Sequence, residues 1–356
     1  MTALLDHLQL FRSPKVGPLT YQRLMAEFDG DAAAALDALP GLAGKDYEPA
    51  PRHLAEAELE AGQAFGAELI LRSDPRFSPL LAEIDGGPPL LWAKGDLSLL
   101  HRSTIAIVGA RNASSAGLRI SRQIAREIGA DGFIIVSGLA RGIDGAVHDA
   151  ALASGTIAVV AGGLDVIYPP EHEWLHAEIG THGLILSEMP MGMRPLARHF
   201  PRRNRIISGL AQATVLVEAA LKSGSMITAR DAAEQGREVM AIPGSPLDPR
   251  SLGCNALIRD GATLVQSSRE ILETLGHKRG MVLPEAAEQG ALPLDAEPAP
   301  PDLPAAILSA LSAVPETEDH IIRALKRPAQ EVMGAISELE ILGQVTRLPG
   351  GRVCLA

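Results

Sequence analysis

The chain has 356 residues, enough for two or three domains, and its core is aliphatic: 46% of residues are hydrophobic and only 3% aromatic. Two widely separated cysteines, Cys254 and Cys354, give neither a disulfide framework nor a CxxC metal motif, and no apolar run approaches the roughly 20 residues of a membrane span. A net charge of −11 argues against a polyanionic partner only if the charge is evenly spread.

The first residues, Met1 to His7, lack the basic-then-apolar layout of a signal peptide, so the cytoplasm is the expected location. Residues 1–66 read as an acidic N-terminal helical domain. Asp31 to Leu39 is an alanine-rich helix stopped by Pro40-Gly41, and Arg52 to Phe65 is another, ended by Gly66. Val16-Gly17-Pro18 ahead of Leu19 to Phe28 resembles the start of a helix-hairpin-helix or SAM-like module. An accessory helical bundle, the more general reading of that pattern, is preferred.

Residues 67–276 form a second domain. Glu68 to Leu71 and Leu90 to Gly95 read as strands, separated by turn-rich sequence. Three uncharged β-branched runs follow, each halted by glycine: Thr104 to Gly109, Phe133 to Gly138 and Thr156 to Gly163. Helix-length stretches lie between them, Leu118 to Gly129 and Gly145 to Ala153. Further buried runs come at 184–187, 214–217, 239–242 and 263–265, with helices expected at Asn204 to Ala211, Gly224 to Gln235 and Asn255 to Asp260. Repeated strand–helix units of this kind give an α/β fold, a doubly wound Rossmann-like parallel sheet. Ligands of such sheets sit beyond the carboxyl ends of the strands, here marked by Gly109-Ala110-Arg111, Ser137-Gly138 and Gly162-Gly163.

Residues 277–302 hold five prolines among alanines and acids and read as a semi-rigid linker. Residues 303–356 predict three helices, Leu303 to Val314, Thr317 to Leu325 and Ala329 to Leu342, and then two short strands: a C-terminal winged-helix domain. Its third helix carries Glu331, Glu338 and Glu340 and no lysine or arginine, so it is expected to contact protein rather than a DNA groove.

The motifs favour anion binding. Gly109-Ala110-Arg111, followed by Ser114, Ser115 and Gly117, has the form of a phosphate loop at a helix start. Arginine stands where a dinucleotide fingerprint needs its second glycine, and no GxxxxGK[ST] occurs, so neither NAD nor a P-loop nucleotide is expected. Ser137-Gly-Leu-Ala-Arg-Gly-Ile-Asp144 adds a hydroxyl, a glycine and Arg141. Asp144 reads as a helix cap, and His148, without a spaced partner, as a structural histidine. Residues 194–205 contain five arginines (Arg194, Arg198, Arg202, Arg203, Arg205) and no acid. Arginines grip phosphates, and Phe200 among them can stack a base, a combination suited to a single strand. Lys222 and Ser223 precede another helix start on the same edge.

Seven linked motifs carry a resemblance: Ile107-Val-Gly-Ala-Arg111, Ser137 to Asp144, Gly162-Gly-Leu-Asp-Val-Ile-Tyr-Pro169, Ser187-Glu-Met-Pro190, Phe200-Pro-Arg-Arg-Asn-Arg-Ile-Ile-Ser208, Glu218-Ala-Ala-Leu-Lys-Ser-Gly-Ser225 and Ile242-Pro-Gly-Ser245. In this order, over about residues 68 to 276, the chain resembles the DNA-processing protein A family (DprA, also called Smf). The resemblance implies a non-enzymatic protein without metal or cofactor. It would bind single-stranded DNA, protect incoming strands during natural transformation, load the RecA recombinase, and dimerise through the Rossmann-like domain. The DNA-binding residues so implied, together with those read from the motifs, are Gly109, Arg111, Ser137, Gly138, Arg141, Arg198, Phe200, Arg202, Asn204, Arg205, Lys222 and Ser223. The family often has lysine near the position of Arg198, where arginine keeps the charge. The alternative is a nucleotide-binding hydrolase resembling the lysine-decarboxylase-like phosphoribohydrolases. Pro243-Gly244-Ser245-Pro246 departs from the PGGxGTxxE motif of those enzymes, and Glu218 has no glycine-rich partner in register.

Overall fold

The computed structural model describes residues 2–44, 46–276, 302–311, 315–325 and 327–355. The linker expected over 277–302 lies outside the described residues up to 301. The chain divides into two compact units, Met1–Arg279 and Gly280–Ala356.

The first unit opens with four helices, α1 (Thr2–Arg12), α2 (Pro18–Glu27), α3 (Ala32–Ala43) and α4 (Arg52–Phe65). Asp31 caps α3 by accepting from the Ala33 and Ala34 amides. Helix α3 does not stop at Pro40 but runs through it to Ala43. A proline there costs one intrahelical hydrogen bond, which the packing of Ala35, Leu36 and Leu39 in the apolar core offsets. Helix α4 ends as expected, on Gly66 in the left-handed conformation (φ 74°).

The sheet follows, with β1 (Glu68–Leu71), α5 (Pro79–Ala82), β2 (Leu90–Gly95), β3 (Thr104–Gly109), α6 (Ser115–Ala130), β4 (Ile134–Ser137), α7 (Ile143–Ala151), β5 (Thr156–Val159), α8 (Glu173–His182), β6 (Leu184–Ser187), α9 (His199–Gly209), β7 (Ala213–Val217), α10 (Gly224–Glu234), β8 (Glu238–Ala241), α11 (Leu252–Arg259), β9 (Thr263–Leu264) and α12 (Ser268–Thr274). Nine strands run in the order β1-β2-β6-β5-β4-β3-β7-β8-β9. All pairs from β6 to β9 are parallel, while β1 and β2 join antiparallel at one edge. Strands β3 to β7 are almost wholly buried, as uncharged runs between two helical layers must be.

The N-terminal helices share a core with one face of this sheet. Trp92 on β2 is fully buried and donates its indole N–H to Glu58 of α4 at 2.7 Å. Glu58 also takes both prongs of the Arg12 guanidinium, at 2.8 and 2.9 Å. Gly62 makes room for the indole ring, which a β-carbon there would strike.

The second unit contains α13 (Leu303–Ala310), β10 (Glu316–Thr317), α14 (Glu318–Leu325), α15 (Ala329–Ile341), β11 (Val345–Leu348) and β12 (Arg352–Leu355). Its sheet runs β10-β12-β11 around a core that includes Ile307, Ile321, Val332, Ile336, Val345 and Val353. This is the winged helix that the sequence implies. Among the described residues no helix is long and apolar enough to cross a membrane.

Candidate nucleic-acid interface

The strand order reverses at β3, which has β4 on one side and β7 on the other, so the topological switch point lies beyond Gly109 and Val217. Gly109 serves packing there: a β-carbon would strike the Val217 carbonyl and the Ile143 side chain. The loop after β3 carries Arg111 outward. It is held from one side by the Ile143 amide, which donates to the Ala110 carbonyl at 3.2 Å. Gly142, at φ 75°, lies against the same loop, and a β-carbon on it would sit 2.6 Å from the Arg111 carbonyl. On the other side the Glu218 carboxylate accepts from the Ser114 amide at 2.8 Å and from the Ser114 hydroxyl. The phosphate loop expected at the start of α6 is therefore filled by the chain's own carboxylate.

The arginine-rich run does not precede a helix but forms its first turns, because α9 begins at His199 rather than Asn204. Helical period turns His199, Arg203 and Asn204 inward, where they are buried, and leaves Arg198 and Arg202 facing solvent one turn apart. Arg205 shares the side of Arg202 but is largely covered by its contacts to Glu188 and Gly86. The Arg111 guanidinium lies over the Phe200 ring at 4.9 Å, and Tyr168 packs against Phe200 at a tilt, with ring centroids 5.8 Å apart. Two distant sequence segments thus meet at one rim. A small, partly open pocket of about 10 Å³, room for one water, is lined by Gly138, Ala161, Gly162, Tyr168, Phe200 and Arg203.

Arg203 is the cation under the rim. Its Nη1 donates to the Val159 carbonyl at 3.1 Å, and its Nε is buried without a hydrogen-bond partner. Burial pulls its pKa down to about 10, against the opposing charge of Asp144. Burial in turn raises Asp144, while Arg203 and the Ala140 and Gly138 amides lower it. Asp144 is not the helix cap expected; Gly142 takes that position, and Asp144 sits inside the first turn. Gly138 is obligatory at this point, since a β-carbon would meet both the Arg203 guanidinium and the Asp144 carboxylate.

Other expected contacts are turned inward. Ser137 is fully buried and its hydroxyl donates to the Ile107 carbonyl at 2.6 Å, within the sheet. Arg205 pairs with buried Glu188 at 2.5 Å and donates to the Gly86 carbonyl at 2.8 Å. Asn204 donates to the Gly224 carbonyl at 3.1 Å, tying α9 to the start of α10. Arg141 is exposed but pairs with Glu171. Ser223 bonds Ser225 through their hydroxyls at 2.8 Å, and Lys222 is exposed. His148 is the structural histidine expected: fully buried, it bonds the Thr156 hydroxyl through Nδ1 at 2.8 Å.

A family model described as DNA recombination-mediator protein A matches residues 68–276. The chain belongs to that family. A DprA-like N-terminal HHH domain matches residues 2–61 and a DprA winged helix domain residues 291–351. The first of these corrects the preference for a general helical bundle: the N-terminal segment is a helix-hairpin-helix module. The protein Smf of Escherichia coli is 41% identical over 291 residues, covering 80% of this chain and 77% of that one. The DNA processing protein DprA of Bacillus subtilis is 44% identical over 232 residues, covering 64% and 76%. Among solved structures, DprA of Streptococcus pneumoniae superposes with a TM-score of 0.63 at 35% identity, covering 76% of this chain and 96% of that one. DprA of Helicobacter pylori, described for its single-stranded DNA binding mode, gives 0.55 at 30% identity, covering 59% and 95%.

One residue and two contacts of this site are not legible from local sequence. Tyr168, nine residues past the end of β5, stands in the sequence only as part of the Gly162 to Pro169 motif. The Asp144–Arg203 juxtaposition and the lodging of Glu218 against Ser114 join residues 59 and 104 positions apart, and no local pattern announces either.

Proposed function

We propose that the rim formed by Arg111, Phe200 and the outer face of α9 binds single-stranded DNA, with no preference for sequence. One observation carries this reading: the Arg111 guanidinium lies over the Phe200 ring, on a helix whose Arg198 and Arg202 face water. Cations placed next to an aromatic platform hold the backbone while an unpaired base stacks; a duplex offers no free base face. Gly138 supports the rim from below, Lys222 extends the positive edge, and Arg141 is available once a phosphate displaces Glu171. Ser137, Asn204 and Arg205 shape the site from within. The protein acts as a mediator rather than an enzyme, delivering strands to a RecA-type recombinase in the cytoplasm as a homodimer.

The test is fluorescence anisotropy with single-stranded and duplex oligonucleotides across a salt series, on wild type and Arg111→Ala. The single strand should bind the more tightly. Arg111→Ala should weaken every strand by roughly tenfold and lower the slope of log K against log salt by about one phosphate contact. Equal affinity for duplex and single strand would sink the reading.

A further inference from the structure

We infer that Glu218 is a built-in ligand of the sheet's phosphate position. It closes the switch-point crevice to free nucleotides and fixes the loop that presents Arg111, making it a specificity-determining and positioning residue. The inference deepens the function proposed above and rests on it for the role of Arg111.

Four observations converge. Glu218 directly follows β7, and its carboxylate reaches the start of α6 across the point where the strand order reverses. There it accepts from the Ser114 amide at 2.8 Å and from the Ser114 hydroxyl, while that hydroxyl oxygen accepts from the Gly117 amide at 2.9 Å. Two backbone amides and the hydroxyl at this helix start, donors of the kind a doubly wound fold offers to a phosphate, are thus already engaged. Gly117 leaves space for this carboxylate, since a β-carbon there would lie 2.6 Å from Glu218 Cδ. Finally, Glu218 adopts φ 54°, the left-handed region that side-chain-bearing residues enter at a cost, so the surrounding contacts hold it there.

The consequence follows from chain geometry. The Arg111 loop is held at its start by the Ile143 amide on Ala110 and at its end by Glu218 on Ser114. Releasing the second point frees Arg111 from its place over Phe200. It also leaves a vacated helix start with the amides of a phosphate site. A polymer crossing the rim is bound, and a mononucleotide seeking the crevice is refused.

Glu218→Gly is the direct test, because glycine keeps the φ without strain. Inorganic phosphate and a nucleoside monophosphate should raise the melting temperature of Glu218→Gly and leave wild type unmoved. The single-strand affinity of the variant should fall by roughly tenfold, with a shallower salt slope. The sign is diagnostic: deleting an ordinary carboxylate beside a polyanion site strengthens binding. Glu218→Gln, which keeps an oxygen for the Ser114 amide, should restore affinity to within about threefold of wild type. A folded Glu218→Gly that gains no phosphate response overturns the inference, as does an affinity that rises. If Glu218→Gly fails to fold, Gly117→Ala reads the same point: its methyl displaces the carboxylate, and an unchanged salt slope in that variant overturns the positioning role. Absence of single-strand binding by wild type would instead remove the proposed function, while the phosphate response would still report on Glu218.

Discussion

The two faces of α9 show how differently one helix can use the same side chain. On its outer face Arg198 and Arg202 stand in water, while Arg111 lies over Phe200 of the same helix. On its inner face Arg203 lies near Asp144 beneath Gly138. Arg205 follows Arg202 by one turn on the outer side, yet it is tied to Glu188, whose side chain is only 2% exposed. Arg198 and Arg202 are exposed to a phosphate; Arg203 and Arg205 are already matched to internal acids and carbonyls. A charge count over residues 194–205 cannot separate the two groups, and helical period sets apart only Arg203. The winged helix repeats the lesson, for Arg347 of its wing is held by Glu318 at 2.8 Å and Glu340 at 3.1 Å.

The largest effect that would break this comparison is expected at Arg203. Removing it leaves buried Asp144 without its nearest cation, with only the Ala140 and Gly138 amides and the more distant Arg111 charge to stabilise it, and breaking a buried charge pair costs about 3–5 kcal/mol. Urea denaturation of Arg203→Ala should show a loss of that order, and Arg203→Met with Asp144→Asn should recover part of it. A loss of less than about 1 kcal/mol would mean that the inner face is not held by charge matching.

The next effect is a pH dependence confined to the interior. Burial holds His148 down to about pKa 3, against 6.5 for the free side chain. The unfolded chain therefore binds a proton that the folded chain refuses between these values. Stability from this group is complete above pH 6.5 and falls as pH drops towards 3. At pH 5 the deficit is about 2 kcal/mol. The difference in unfolding free energy between wild type and His148→Gln should change by about that amount between pH 7 and 5. A difference that stays constant with pH would contradict the burial argument.

Much of this was legible in the sequence. Uncharged β-branched runs mark the seven strands of the doubly wound part, six of them within a residue or two, because a strand buried on both faces leaves little choice of residue; β5 alone stops well short of its run, at Val159 rather than Gly163. Arg111 stands out in the sequence because a cation just past a buried strand has few structural uses, and Arg198 and Phe200 because they fall in an acid-free run of arginines. The start of α9 was missed: Pro201 suggested a helix boundary downstream, but proline is at home in a first helical turn. With the helix placed five residues late, the inward turn of Arg203 and Asn204 could not be read, and the covering of Arg205 by Glu188 and Gly86 comes from distant segments. Ser137 was misjudged for a different reason. A serine at a strand's carboxyl end looks like a ligand contact until its hydroxyl is seen to donate to the neighbouring Ile107 carbonyl.

The smallest effect gives the finest resolution of the two faces. Arg198 and Arg202 are both outward, one helical turn apart, yet only Arg202 comes within 3.9 Å of the buried Glu188 carboxylate. Among the described residues Arg198 forms no ion pair. Part of the field of Arg202 is spent on that acid, so its pull on a phosphate outside is weakened, while Arg198 contributes in full. Arg198→Ala should reduce single-strand affinity by about fivefold and Arg202→Ala by about twofold, both without loss of stability. Anisotropy titrations at one salt concentration resolve the ratio. The reverse order would show that Arg202 swings away from Glu188 when a strand arrives, placing the boundary between the two faces in the bound state rather than in the helix alone.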